Sequence, residues 1–317
     1  MSYNIQSPSE TVSLLVGGGT MGTDIATVLL RAQSRTTIVE PNQLAHDGIK
    51  NRVLHNLKAI GREDNIALLE VVDTLESVAW ADMDLVIEAI PEKLELKQAL
   101  FRDLERLARP DTVLCSNSSS FPISDIAEGL ETGSRMIGLH FFMPAHIVPL
   151  VEVVLGKRTD PELGELLVNL MRRCGSVPVL IRKDIPGFLA NRLQHAIGRE
   201  IYSLIESGIV SPEDADAAVR FGFGFRYIAA GPIMQKEIAG WDVHAAAGGT
   251  IYPDLSNAAI LPEVVAAKVR NNKFGMKTGE GFYKWTPESM AQEKDRYDAA
   301  LRKGLDILSA DLPEIQP

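Results

Sequence analysis

Cysteine is scarce: only Cys115 and Cys174 occur, far apart and with no C-x-x-C. That excludes a disulfide scaffold. It reads as two buried thiols in a reducing compartment, so a cytoplasmic location is expected. No apolar run is long enough to span a bilayer. The first ten residues are polar, which is not the pattern of a signal peptide. No Lys/Arg cluster stands out and the net charge is −10, which argues against nucleic acid and anionic membranes as partners. There is no repeat and no low-complexity segment, and no metal site is expected. What remains is the composition of an ordinary globular protein, 45% apolar and 23% charged, and 317 residues are enough for two domains.

The chain is organised around Leu14-Leu15-Val16-Gly17-Gly18-Gly19-Thr20-Met21-Gly22. An apolar run, Val12 to Val16, enters a G-x-G-x-x-G cluster. A helix-compatible segment follows from Thr23 to Ala32, then a short β-branched run from Thr36 to Val39 that ends at Glu40. Glycine clusters are mostly ordinary turns. Here a strand precedes, a helix follows, and an acid stands 18 residues after Gly22. That combination fits a pyrophosphate lying on a helix N-terminus and a carboxylate accepting from both ribose hydroxyls. A carboxylate there repels a 2′-phosphate, so the cofactor is read as NAD rather than NADP.

Residues 11 to about 155 alternate strand and helix patterns, as in a doubly wound parallel sheet. Residues 45–60 read as one amphipathic helix with Ile49, Val53, Leu57 and Ile60 on one face. A weak strand near Glu70 to Asp73 precedes a buried one from Asp84 to Ile90. Pro91 then opens a helix carrying Glu92, Leu94 and Lys97. Strands Thr112 to Cys115, Met136 to Phe142 and Pro149 to Leu155 follow, then a helix from Pro161 to Arg173 and a strand from Val177 to Ile181. From Lys183 the texture turns helical: a long helix through Asn191, Ala196 and Ile205 stopped by Gly208, a start at Ser211-Pro212-Glu213-Asp214, and segments near 232–247 and 262–270. The expected architecture is an α/β Rossmann-type doubly wound domain over residues 1–182, followed by an all-α domain over residues 183–317. Leu312 to Pro317 reads as a loose tail.

Ligands of doubly wound sheets sit beyond the carboxyl ends of the strands. Ser116 to Ser120 follow one strand, His140 ends the next, and Glu152 sits on the one after. A histidine beside a carboxylate suits alcohol oxidation: the imidazole takes the hydroxyl proton, and the carboxylate fixes its tautomer. Taken singly, His140 also reads as a core histidine, the serines as a turn and Asn191 as a polar helix position. Glu152, between Val151 and Val153, is harder to dismiss, because a carboxylate in an apolar strand is costly unless paired.

Several blocks together resemble the L-3-hydroxyacyl-CoA dehydrogenase family, in its order and near its spacing. They are Gly17 to Gly22, Glu88 to Glu92, Ser116 to Ser119, Gly138 to Phe142, Leu150 to Val153, Pro186-Gly187-Phe188 with Asn191-Arg192, and Lys273-Phe274-Gly275 through Tyr283. The resemblance implies a Rossmann domain plus a helical domain that makes a homodimer. It implies His140 as general base, Glu152 as its orienting partner, Ser119 holding the substrate oxygen and Asn191 helping to bind substrate. It places Gly17, Gly19, Thr20, Met21, Gly22, Glu40, Ala89, Glu92, Lys97 and Asn117 at the NAD site. Lys97 reads nearly as well as a solvated helix lysine.

Three features depart from the family pattern. CoA-using members carry two long helices as a projecting hairpin after the second strand; here Gly61 to Asn65 reads as a turn and the second helix as absent. The family's His-Phe-Phe-Asn-Pro reads His140-Phe141-Phe142-Met143-Pro144, so Met143 replaces an amide with an apolar group. The stretch Gly222 to Pro232 is longer than the usual loop of CoA enzymes and resembles the branch acting on L-gulonate, carnitine and pyridine carboxylates. There Arg226 reads either as a partner for a free carboxylate or as a surface arginine. The leading expectation is the parent activity, NAD-dependent interconversion of an L-3-hydroxyacyl compound and its 3-oxo product; the alternative is dehydrogenation of a small free hydroxy acid without CoA. The 3-hydroxyisobutyrate/6-phosphogluconate type is disfavoured, because it needs a lysine on the domain-linking helix, where this chain has Asn191 and Arg192. A non-enzymatic, crystallin-like NAD-binding protein is disfavoured by the presence of both His140 and Glu152.

Overall fold

The computed structural model describes residues 3–317. They divide into two compact units: residues 3–191 with 311–317, and residues 192–310. The expected break lay after residue 182. The intervening stretch stays with the first unit because Leu189 and Ala190 donate their backbone N–H groups to Glu152 within the sheet.

The first unit is an eight-stranded sheet in the order β3-β2-β1-β4-β5-β6-β7-β8. Its strands are β1 (Val12–Val16), β2 (Arg35–Val39), β3 (Leu69–Val72), β4 (Leu85–Glu88), β5 (Val113–Ser116), β6 (Met136–Phe141), β7 (Leu150–Val154) and β8 (Val177–Ile181). Strands β1 to β6 are parallel, with the order reversing between β1 and β4. Strand β7 runs antiparallel to β6, and β8 parallels β7. Glu152 is thus not at a carboxyl end of the parallel sheet. It lies in the middle of a reversed strand, because a short connection of eight residues, 142–149, returns the chain beside β6.

Helices α1 (Thr20–Arg31), α2 (His46–Lys58), α3 (Leu94–Leu107), α4 (Ile123–Ile126) and α5 (Pro161–Arg173) cover the sheet. Leu15, Ile25, Leu29, Ile38, Val53 and Leu57 are fully buried in one of its apolar clusters, and Leu14, Val86, Phe101 and Leu104 in the other. Two expectations shift here. Ile60 is 44% exposed, because α2 has ended at Lys58. Pro91 does not open a helix: α3 begins at Leu94, which leaves Glu92 in the connection above the strand ends. After α2 the chain makes only a 3₁₀ turn, Glu63–Leu68, before β3, so the expected absence of a second long helix is observed.

The last residues are not loose. Ile315 packs against the core, and the Gln316 N–H donates to the Arg173 carbonyl at 2.9 Å. The Arg173 guanidinium donates to the carbonyls of Gln6 and Pro317 at 3.1 and 2.9 Å.

The second unit is helical. It contains the greater part of α6 (Ala190–Glu206), then α7 (Pro212–Ala218), α8 (Gly224–Tyr227), α9 (Pro232–Ala239), α10 (Trp241–Ile251), α11 (Glu263–Arg270) and α12 (Pro287–Ile307). The stretch from Gly222 is not an extended loop: Val219–Phe223 forms a π-helical turn that runs into α8. The 232–247 segment splits at Gly240, whose φ of +97° cannot continue a helix. Helix α12 is unforeseen. It starts at a capping box in which the Thr286 side chain accepts from the Ser289 N–H, with Pro287 in the first turn. Among the described residues no helix is long and apolar enough to cross a membrane.

Candidate active site

Strand β1 delivers the glycine turn to the carboxyl edge of the sheet. A Cβ at Gly17 (φ +110°) would lie 2.8 Å from the Ala89 carbonyl oxygen, and one at Gly22 would collide with the Gly17 carbonyl. Gly19 is the N-cap of α1, has no side-chain cap, and opens onto space with no atom within 4 Å of a Cβ position. Thr20 is exposed on the first turn, while the side chain of Met21 packs against the core, leaving its backbone to face a ligand. No acid occupies that first turn. These are the properties of an anion cradle. At the end of β2, Glu40 accepts from the Gly18 N–H at 3.1 Å and the Asn42 N–H at 2.9 Å, one on each oxygen. Each oxygen keeps a lone pair for a ribose hydroxyl. The residues present therefore fit NAD.

A buried polar network bridges the ends of β4 and β5. Lys97 is 1% exposed, which excludes the solvated helix lysine. Its Nζ donates to Glu88 Oε1 at 2.6 Å, lies 3.1 Å from Glu92 Oε2, and makes a longer contact of 3.4 Å to the Ile90 carbonyl. Ser116 donates to the other Glu88 oxygen at 2.6 Å. Glu92 Oε1 in turn gathers the serine loop: it accepts from the hydroxyls of Ser118 and Ser120 and from the backbone N–H groups of Ser119 and Ser120. Burial pushes the Glu92 carboxyl up, but those hydrogen bonds and the Lys97 charge outweigh it and hold it down to about 2. Asn117 Oδ1 accepts from the Phe141 N–H at 2.9 Å, which ties the loop to the end of β6.

The antiparallel register sets His140 directly opposite Glu152. Their side chains meet at 2.8 Å, His140 Nδ1 to Glu152 Oε2, and both are withdrawn from solvent. The second Glu152 oxygen accepts from Leu189 and Ala190 at 3.0 and 2.8 Å. Burial raises the Glu152 carboxyl, but the hydrogen bonds from His140, Ala190 and Leu189 prevail and hold it below its ordinary value. An ionised Glu152 requires the proton on Nδ1, which leaves the His140 Nε2 lone pair for a substrate hydroxyl. The rings of Phe142 and Phe188 pack on the imidazole at centroid distances of 4.6 and 5.5 Å and fix its plane.

Ser119 is exposed, and its carbonyl accepts from Asn191 Nδ2 at 3.3 Å. The structure thus gathers Ser119, Asn117, Asn191, His140 and Glu152 in the first unit. Met143, 66% exposed, follows in the connection after β6. Arg226 lies on α8 in the second unit, beside an apolar groove of about 560 Å³ shared with Phe225, Ile228 and Ile238. The backbone donors of Leu189 and Ala190 and the two phenyl rings were not foreseen; only the Pro186-Gly187 turn ahead of α6 hinted at them. Both thiols are buried, and burial pushes them up, away from reactivity.

Residues 13–185 match the family model described as 3-hydroxyacyl-CoA dehydrogenase, NAD binding domain, and residues 187–285 match the one described as 3-hydroxyacyl-CoA dehydrogenase, C-terminal domain. The chain is 31% identical to 5-formyl-3-hydroxy-2-methylpyridine 4-carboxylate 5-dehydrogenase of Mesorhizobium japonicum, over 92% of this chain and 97% of that protein. It is 35% identical to the human mitochondrial hydroxyacyl-coenzyme A dehydrogenase, over 86% of this chain and 90% of that one. Among solved structures, a crystal structure of the same kind of pyridine-carboxylate dehydrogenase, an NAD+-dependent dismutase, superposes with a TM-score of 0.87 at 30% identity. That match covers 93% of this chain and 97% of the other.

Proposed function

The chain belongs to the 3-hydroxyacyl-CoA dehydrogenase family, NAD-dependent dehydrogenases acting on a hydroxyl group, and from that premise we propose that its substrate is a small free hydroxy acid rather than a CoA thioester. The carrying observation is the segment after α2. A projecting helical hairpin is the expected support for a long acyl carrier, and here its second arm is the 3₁₀ turn Glu63–Leu68. The near-complete overlap with the pyridine-carboxylate dehydrogenase supports the same reading.

His140 takes the hydroxyl proton on Nε2, and Glu152 stabilises the resulting imidazolium through Nδ1. A base so placed contributes about 10²–10⁴-fold. NAD, when bound, supplies the hydride acceptor. The Ser119 hydroxyl and the Asn191 amide hold the substrate oxygen, and Asn117 fixes the end of β6. Gly17, Gly19, Gly22, the backbone of Thr20 and Met21, Ala89 and Glu40 bind the cofactor. We assign Lys97 to holding Glu92 and the serine loop, since its donors are already engaged.

We further propose a homodimer formed through the second unit. There, among the described residues, Ala215 is the one buried hydrophobic side chain, while Phe221, Phe225, Ile233, Ile238 and Ile260 are all more than 60% exposed. Sedimentation at micromolar concentration tests this, with a monomer as the contrary result. A cytoplasmic location fits the two reduced, buried thiols.

The deciding experiment follows NAD reduction with 3-hydroxybutyryl-CoA and a panel of free hydroxy acids in parallel. Turnover of a free acid is the expected result. Turnover of the thioester alone overturns the free-acid reading and restores the parent reaction, which the 35% identity to the human enzyme favours.

A further inference from the structure

Asp24 lies in the second turn of α1, and its side chain is 0% exposed. A carboxylate placed there replaces what the helix pattern would fill with an apolar residue, and it must be compensated. Two groups approach it from two other elements. Arg52, on α2, sets both Nε and Nη2 on the single oxygen Oδ1, at 2.9 and 2.8 Å. His146, in the connection that leaves the catalytic strand, brings Nδ1 to 3.2 Å from the other oxygen, Oδ2, with its side chain only 10% exposed. That second contact is close but not aligned: Asp24 Oδ2 and His146 Nδ1 are both buried and make no hydrogen bond. A simple strut between α1 and α2 would need only the arginine. Leaving two more buried polar atoms unsatisfied costs stability and asks for a use.

The location supplies one. Helix α1 begins at the cofactor cradle. Helix α2 leans over the same turn, since a Cβ at Gly18 would strike Ile49 Cδ1 at 2.5 Å, and Ile49 stands one helical turn before Arg52. The connection bearing His146 starts beside His140 and carries Met143. The three residues therefore share the carboxyl edge of the sheet with the base and the cofactor cradle. The Arg52 side chain is still 43% exposed, and among the described residues its Nη1 makes no hydrogen bond. A guanidinium held along one edge presents its other edge as a planar fork, the geometry that receives a carboxylate.

We propose that Arg52, braced by Asp24 and His146, binds a carboxylate of the substrate. Arg52 makes the contact; Asp24 and His146 are positioning residues. When Nη1 and Nη2 turn to the ligand, Nε stays on Asp24 Oδ1, and the poised Oδ2 takes the His146 Nδ1 hydrogen. The carboxylate as ligand rests on the free-acid reading above, but the site is tested without turnover.

The NADH-bound enzyme is titrated with pyridine-4-carboxylate and with the corresponding uncharged amide. The wild type is expected to favour the carboxylate. The double variant Asp24→Asn/Arg52→Gln, which removes both charges together, should bind the carboxylate about 10–100-fold more weakly and the amide unchanged. Arg52→Lys, which keeps the charge and loses the fork, should fall between and serves if the double variant does not fold. A wild type with no preference for the carboxylate, or a preference that survives in the variants, overturns the proposal. Oxidation of the thioester alone would sink the free-acid reading yet leave this titration to decide the site separately.

Discussion

Lys97 and Glu88 form an ion pair at 2.6 Å in which neither side chain is more than 1% exposed. Such a pair is weak evidence of stability in itself, but removing one partner strands the other charge. Lys97→Met should destabilise the protein by about 3–5 kcal/mol in denaturant unfolding, and adding Glu88→Gln should recover much of that loss. A double variant as unstable as the single one would show that the pair is not the unit that matters.

The base and its partner can be separated from cofactor binding. His140→Gln should lower turnover by about 10²–10⁴-fold while the NAD dissociation constant stays put. Glu152→Gln should lower turnover as well, because Nδ1 loses its anionic partner. Substantial residual turnover in His140→Gln would remove His140 as base.

Glu40 decides between the two dinucleotides. Glu40→Ala should weaken NAD about tenfold or more and relax discrimination against NADP, as seen by titrating both cofactors. An unchanged preference would sink the ribose assignment.

Glu92 sets an acid limit. A carboxyl depressed in the folded state stabilises the fold above its unfolded value and loses that contribution as pH falls through the folded one. For Glu92 the window runs from 4.5 down to about 2. Stability measured across that window should fall less steeply in Glu92→Gln than in the wild type, with the serine loop of the variant weakened at every pH.

Much of this was legible in the chain. Glycine spacing, the alternation of strand and helix, and one acid between two valines expose the sheet, the cradle and the pair. The reversal of β7 was not legible, because a strand buried on both faces reads as the same apolar run in either direction. Helix α12 was hidden by its composition: Glu293, Lys294, Asp295 and Arg296 blur any apolar stripe, although Thr286-Pro287 was a usable start signal. The glycines at 222 and 224 masked a helical turn, since they suggest a loop by composition. The site's deeper shell depends on long-range approach: Glu92 meets Ser118 across 26 residues and Asp24 meets His146 across far more, and no local period records either. Only the oddity of an acid inside α1, at Asp24, was on view.

Arg173 grips two carbonyls that are remote in sequence, that of Gln6 ahead of β1 and that of Pro317 beyond α12. One guanidinium at the end of α5 therefore clasps both segments, and losing that single side chain would slacken the two together.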